Sequence, residues 1–555
     1  MLATVDIEEK FMGSHLLFSD LKLTIGVNEK VAIIGRNGVG KTTLFRMLNR
    51  EDAEYNGHIT FRSNVRLVAT RQEHHDILDQ TVVEYILANL PDYAELHQII
   101  ESSPETMGDD LRKITRYTEA LEQFGALDYY TVEDRVRRSL DAYQLGFAAD
   151  RPMSSLSGGQ KRFVELVRVE HAGAELALID EPTNHMDYVA KAAFIEWFNE
   201  VRHTVVVITH DRDVLQKVDR IIEIKDYAAY NFNGNYDAYL KQNAMRTAAD
   251  LSEYDTVQRR IENIKKQIAS ARAKKARWGG TADKKNPFVV IENKLTKELA
   301  ELVQEEKPSF WIDKESVESL RPDVEASYQK HKAKTIHIRR LTREERPREL
   351  LILDNVQVGY DKPLFEPIKA NVQTGERLHI VGRNGAGKTT LVRAIIASMG
   401  EERPATLLHG KIKLDAQLRI NTYEQEIDPG VLDLTLGDAI EHIYYSYGQK
   451  AGPEQIMRTL SDYLFDPYSD REHLVSKLSG GQKARLQLIK LFANEPNLVI
   501  LDEPSNHLDL PSIEELEAAL AQYKGALLYI SHDSYLSKHL GGAELAITPL
   551  KLALA

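Results

Sequence analysis

Glycine, lysine and threonine recur at one spacing in two places along this 555-residue chain, as GRNGVGKT over Gly35–Thr42 and GRNGAGKT over Gly382–Thr389. A glycine-rich loop that ends in Lys-Thr holds phosphate. Gly35, Gly38 and Gly40, with Gly382, Gly385 and Gly387 in the second copy, let backbone N–H groups turn inward, and Asn37 and Asn384 lie in the same turns. Lys41 and Lys388 then reach the β and γ phosphates. Thr42 and Thr389, followed by Thr43 and Thr390, offer hydroxyls to Mg²⁺. Further along each half, Asp180 and Asp502 close the apolar runs Leu176–Asp180 and Leu498–Asp502 and supply a second Mg²⁺ ligand. Glu181 and Glu503 come next, placed to polarise a water that attacks the γ phosphate. His210 and His532 follow another apolar run in the same register, which points to a γ-phosphate contact. The chemistry is nucleoside triphosphate hydrolysis, and both copies hold every group it needs.

Positioning these groups requires a strand, a tight loop and a helix in that order, and Val31–Ile34 and Leu378–Val381 are the apolar runs that enter the two loops. The fully apolar runs before Asp180 and Asp502 read as buried parallel strands, so the fold class is α/β with two tandem phosphate-loop cassettes. The chain is too long for one core and has material for two. Its net charge is −13, so any nucleic-acid contact must be local. The absence of cysteine excludes disulfides, thiolate zinc sites and iron–sulfur clusters. The N-terminal stretch MLATVDIEEK has no apolar signal core, and the longest apolar runs have strand length, far short of the roughly 20 residues of a spanning helix. A cytoplasmic protein with no stable membrane association is expected.

Two stretches exceed what hydrolysis needs. Gln72 and Ser157 are 85 residues apart, against 54 between Gln425 and Ser479. The extra length falls around 90–127, where Tyr93, Leu96, Ile99, Ile100 and then Leu111, Ile114, Tyr117, Leu121 space as short amphipathic helices. That stretch is either a lengthened helical subdomain or a projecting arm. Between the cassettes, Ile261, Ile264, Ile268 and Ala271 form one apolar stripe and Ile291, Leu295, Leu299 and Leu302 another, with Gly279, Gly280 and Pro287 between them. A hairpin of two helices follows. Ten Lys or Arg between Arg259 and Lys285 face only Glu262 and Asp283. Lys274, Lys275, Arg277, Trp278, Lys284 and Lys285 at its tip suit RNA phosphates and an unpaired base, although a solvated coiled coil has the same composition. The domains expected are 1–241, 242–345 and 346–555. No secure reading attaches to 307–345, and no further coiled coil is expected after the second cassette.

LSGGQ, at Leu156–Gln160 and Leu478–Gln482, gives the chain a strong resemblance to ATP-binding cassette proteins. The resemblance implies ATP as nucleotide, with the signature of one cassette closing over the nucleotide of the other. Ser157, Gly158, Gly159 and Gln160 would then cap the ATP at Lys388, and Ser479, Gly480, Gly481 and Gln482 the ATP at Lys41. It also makes Gln72 and Gln425 the Q-loop glutamines near Mg²⁺, Phe11 and Tyr360 the adenine-stacking rings, and Asp187 and Asp509 part of the loop across the interface. Two cassettes, no spanning segment, an enlarged first cassette and a charged helical linker resemble the ABC-F proteins in particular. That similarity implies a monomer, closed on itself by two ATP molecules, that binds the ribosomal exit site. Its linker would reach peptidyl-site tRNA, rRNA and the peptidyl-transferase centre, and hydrolysis would release it. A translation factor and an antibiotic-protection protein both fit. The ATP-binding subunit of a transporter with separate membrane chains and a DNA-associated cassette ATPase share the catalytic motifs.

Overall fold

The computed structural model describes residues 1–13, 15–71, 79–106, 108, 110–184, 186–277, 287–303, 336, 348–400, 406–424, 427–506 and 508–550. Gln72, Gln425, Trp278, Lys284 and Lys285 lie outside the described residues, as do the side chain of Arg277 and nearly all of 307–345. Met1–Tyr236 and Thr335–Ala555 form one compact unit, and Asp237–Lys334 forms a second.

Each cassette of the first unit is built on a mostly parallel sheet. In the first, the strands run in the order Leu67–Ala69, Leu176–Asp180, Thr204–Ile208, Lys30–Gly35, Arg220–Lys225, Ala228–Asn233, and only the last pair is antiparallel. The second repeats the first four positions with Ile420–Tyr423, Leu498–Asp502, Ala526–Ile530 and Arg377–Val381, then adds Ala543–Ala546. The strands before His210 and His532 are buried at every position because both faces of a central parallel strand are covered. A three-stranded antiparallel sheet accompanies each, with Ala3–Met12 and Glu349–Val358 as the central strands. Buried residues of Ala3–Met12, Lys30–Gly35 and the helix Lys41–Leu48 share one apolar core, which fixes the phosphate loop from below.

Within 90–127 stand two helices, Tyr93–Thr106 and Leu111–Ala126. Tyr93, Phe124 and Tyr129 lock their base as tilted and edge-on ring pairs with centroids 5.3–5.6 Å apart. Behind them the signature helix Gly158–His171 carries two neighbours with opposite titration. Burial pushes the Glu170 carboxyl up to about 7, against the pull of the Tyr143 hydroxyl that donates to it. Burial likewise pushes His171, 3.0 Å from Ser139 Oγ, down to about 4. A raised carboxyl stabilises the fold below its unfolded value and loses that contribution as pH rises toward 7. A lowered imidazole loses its contribution as pH falls from 6.5 toward 4. Glu170→Gln is therefore expected to raise the melting temperature relative to the parent more at pH 8 than at pH 5, as thermal melts at the two pH values would show.

In the second unit the helix Tyr236–Arg277 runs unbroken for 42 residues, about 60 Å at the usual rise, and Pro287–Val303 is the other helix. Ile261, Ile264, Ile268 and Ala271 are buried, as their spacing requires. Pairs from Arg260 to Glu298 (2.7 Å), Arg272 to Glu292 (2.8 Å) and Lys275 to Glu292 (3.1 Å) set the helices antiparallel. Counting charge along 259–285 misses these pairs, because the glutamates come from the return helix. Lys275 is thus engaged within the hairpin, whereas Lys274 is exposed and has no ion pair among the described residues.

Candidate functional site

The phosphate loops sit at the carboxyl ends of parallel strands, where an open α/β sheet binds ligands. Gly40 and Gly387 are the N-caps of the two loop-bearing helices, at φ 100° and 96°, and as glycines they offer no side chain to the first-turn N–H groups. A Cβ on Gly40 would come 2.6 Å from the Phe18 ring, so only glycine fits there. The first-turn N–H groups are consequently open to an anion. Lys41 Nζ donates to the carbonyls of Gly35 (2.6 Å) and Arg36 (3.1 Å), and Lys388 Nζ to those of Gly382 (2.7 Å) and Arg383 (3.2 Å). Both amines curl over their own loops. Burial lowers both from the ordinary lysine value, against the pull of Glu181 and Glu503.

Thr42 Oγ1 donates to Asp180 Oδ2 at 3.3 Å, which brings together the two oxygens expected to face Mg²⁺. Mg²⁺ usually takes only one or two protein oxygens and completes its shell with phosphate and water, so this pair suffices. Glu181 and Glu503 adopt φ 45° and 49°, an uncommon backbone for a non-glycine residue. Their N–H groups donate to the carbonyls of Ile208 and Ile530 at 2.9 Å, which fixes the turn at the strand end. Burial lifts both carboxyls above the usual carboxylate range, against the opposing pull of Lys41 and Lys388. His210 Nε2 stands 3.4 Å from Glu181, and His532 Nε2 stands 3.3 Å from Glu503. Burial pushes His532 down to about 4, so its ring is neutral at physiological pH. Among the described residues neither ring nitrogen of the buried His210 has a hydrogen bond, as expected of a group built to meet a ligand. The glycine loop, the uncapped helix start, the lysine and this histidine together fit a nucleotide phosphate chain with Mg²⁺.

The two cassettes face each other head to tail across these loops. Asp509 Oδ2 accepts the Asn37 N–H at 2.7 Å, and Asp187 Oδ2 accepts the Asn384 N–H at 2.8 Å. Gly480 lies so close to the other cassette that a Cβ on it would be 3.0 Å from Asn37 Cβ. Ser157 and Ser479 are N-caps in reciprocal capping boxes with Gln160 and Gln482. The oxygens of these glutamines are therefore spent on their own helices, with Gly158, Gly159, Gly480 and Gly481 in the first turns. A cavity of about 200 Å³ lies between Glu181, His210, Glu503 and His532. Phe11 and Tyr360 are exposed, and neither belongs to a core. Arg383 stands within the second phosphate-loop motif, but Gln144 and Arg212, which also touch across the interface, had no motif to announce them.

Residues 18–184 and 365–506, together more than half of the chain, match a family model described as ABC transporter, and residues 222–285 match a second model with the same description. The chain is 30% identical over 534 residues to the probable ATP-binding protein YheS of Escherichia coli, covering 94% of this chain and 75% of that one. It is 28% identical over 567 residues to ABC transporter F family member 5 of Arabidopsis thaliana, covering 96% and 73%. In fold it is similar to an RNase-L inhibitor, with TM-score 0.56, 17% identity and coverage of 99% and 90%. An archaeal ribosome recycling factor, aABCE1, solved with the ribosomal stalk protein aP1, gives TM-score 0.55, 18% identity and coverage of 98% and 87%. Among the described residues no helix is long and apolar enough to cross a membrane. With two matched cassettes and F-family relatives aligned over nearly its whole length, the chain belongs to the ABC family of ATPases, as a tandem-cassette member of the ABC-F type.

Proposed function

We propose that this protein is a cytoplasmic, monomeric ATPase that engages the ribosome while ATP holds its cassettes together, and that leaves on hydrolysis. The observation that carries the proposal is the reciprocal pair Asp187 to Asn384 and Asp509 to Asn37. Each phosphate loop is braced by the other cassette, so a nucleotide in either loop is sensed by both. The ribosome as partner is supported by F-type relatives, by a fold shared with a ribosome recycling factor and by the exposed lysines of the hairpin. The hairpin would reach rRNA and peptidyl-site tRNA near the peptidyl-transferase centre, either in translation itself or in protecting the ribosome from antibiotics.

At each site the residues divide the work of hydrolysis. Lys41 leaves its loop carbonyls for the β and γ phosphates, and the first-turn N–H groups hold the same oxygens. Glu181, whose burial makes it readier to take a proton, polarises a water whose oxygen attacks the γ phosphorus as the bond to the bridging oxygen of ADP breaks. His210 presents a neutral ring to the γ phosphate. Thr42 and Asp180 would hold Mg²⁺, which would supply neutralisation of charge on the phosphates. Lys388, Glu503, His532, Thr389 and Asp502 act alike in the second site.

Co-sedimentation with ribosomes tests the reading. The Glu181→Gln, Glu503→Gln form should pellet at about one copy per ribosome with ATP and hardly at all with ADP. Reversing Lys265, Lys266 and Lys274 to Glu should weaken pelleting more at low salt than at high salt, since these cations are exposed and not ion-paired among the described residues. If ATP binds but nothing pellets, the ribosome is the wrong partner. ATP-dependent capture of a membrane protein or of duplex DNA would then name the alternative.

A further inference from the structure

Among the differences between the two nucleotide sites is a position on the rim of the interface. Gln144 follows the helix Val132–Ala142, and its counterpart in the second cassette is Leu464, after the helix Pro453–Asp462. The backbones match, at φ 62° and 65°, so the side chain alone distinguishes them. Gln144 Nε2 donates to both carboxylate oxygens of Asp187 at 2.8 Å, and its Oε1 accepts from Arg383 Nε at 3.0 Å. The amide orientation is chemically forced, because a carboxylate only accepts and a guanidinium only donates. Asp187 is fully buried and also takes the Asn384 N–H, besides capping its own helix through Val189 and Ala190. The loop segment Arg383-Asn384 is thus tied to the first cassette twice, through its backbone and through its arginine.

The other site lacks this second tie. Asp509 takes the Asn37 N–H and the Ser512 N–H, but leucine at 464 can donate nothing to it. Arg36, the counterpart of Arg383, instead lies with Nη2 3.5 Å from where a Cβ on Gly481 would be. We propose that Gln144 is a positioning residue for ATP hydrolysis at the Lys388 site, holding the second cassette's phosphate loop from the first cassette and making that site work differently from the Lys41 site. The proposal rests on the reading that each loop, with the facing cassette, forms one hydrolysis site.

Steady-state ATPase assays separate the sites, because Glu181→Gln leaves turnover to the Lys388 site and Glu503→Gln leaves it to the Lys41 site. Gln144→Leu, which copies the other half, should lower kcat/KM about tenfold in the Glu181→Gln background and less than twofold in the Glu503→Gln background, consistent with loss of hydrogen bonds to charged groups. Gln144→Glu keeps the size but sets a carboxylate against Asp187, and it should lose as much. Equal losses in both backgrounds would mean a general packing role, and full activity of Gln144→Glu would mean that size alone matters. Either result overturns the proposal. If neither single background turns over ATP, the two-site reading fails. Gln144 is then judged by release of a fluorescent ATP analogue from the Lys41→Ala form: about tenfold faster release with Gln144→Leu supports positioning, and unchanged release overturns it.

Discussion

Replacing Glu181 and Glu503 together by Gln is expected to lower steady-state ATP turnover by about a thousandfold while ATP affinity stays within about threefold. The two effects separate because the binding and proton-accepting groups are different. Phosphate would be held by the glycine loops, their helix starts and Lys41 or Lys388, none of which the substitution touches. Each glutamate stands at the turn after its strand, with its backbone fixed by Ile208 or Ile530 and its carboxyl beside His210 or His532. Glutamine keeps that shape and loses the basic oxygen. Product release measured after a single turnover, with equilibrium ATP binding measured in parallel, checks both halves. Turnover within tenfold of the parent would remove these glutamates from the chemistry.

Arg212→Ala is expected to raise the ATP concentration for half-maximal closure of the Glu181→Gln, Glu503→Gln form by about a hundredfold. Arg212, in the short helix Arg212–Leu215, is buried against the second cassette. It reaches Glu517 at 3.1 Å and Glu514 at 3.8 Å, both on the helix Leu510–Gln522, and its guanidinium lies 5.1 Å from the centre of the Tyr535 ring. Burial already raises the Glu517 carboxyl, against the pull of Arg212. Removing the cation from partly buried carboxylates costs about 3 kcal/mol. That cost falls on the apposition of the cassettes, because both carboxylates that Arg212 meets stand on the other cassette. Energy transfer between one dye on each cassette reads closure directly, and with no native cysteine two engineered ones are the only labelling sites. Arg212→Ala with Glu517→Gln should recover much of the loss. No recovery would mean that the ring contact, and not the charge, holds the interface.

The position equivalent to Arg212 is Ser534, whose hydroxyl donates to Asp213 at 3.0 and 2.9 Å, while Lys191 pairs with both Asp211 and Asp213. The closure contacts on the two sides are therefore chemically unlike, although both catalytic sets are complete. This asymmetry, like that of Gln144 and Leu464, escaped a reading by motifs. Motifs mark the groups that chemistry demands, and these positions carry none.

The catalytic strands, loops and helices were legible in the sequence because their signals are local. An apolar run that ends at a glycine loop can only be a buried strand feeding a phosphate turn, and the repeat confirmed the register. The hairpin was legible for the same reason, since Ile261, Ile264, Ile268 and Ala271 space as one buried stripe. Its charge was not. Glu292 and Glu298 neutralise cations on the other helix, and a count along one segment cannot see a partner that arrives from the return helix of the hairpin. The signature glutamines illustrate a different limit. The family pattern placed Gln160 and Gln482 on the nucleotide, and the spacing Ser-x-x-Gln equally makes a capping box, which is where their oxygens lie.

By itself, the sequence determined the local scaffold of this protein: which lysine, threonine, aspartate, glutamate and histidine stand at each phosphate loop, and the strand or helix that carries each. Those facts follow from backbone sterics and hydrophobic periodicity within a few residues. Only the tertiary structure decided how the halves meet. Asn37 and Asp509 are 472 residues apart, and Gln144 and Arg383 are 239 apart, yet each pair shares a hydrogen bond. Such contacts leave no periodic trace, because a single polar side chain at a surface position satisfies the local fold equally well whether or not a partner faces it. The unlike contacts at the two phosphate loops are therefore a property of the assembled interface, written in residues that are unremarkable until the cassettes come together.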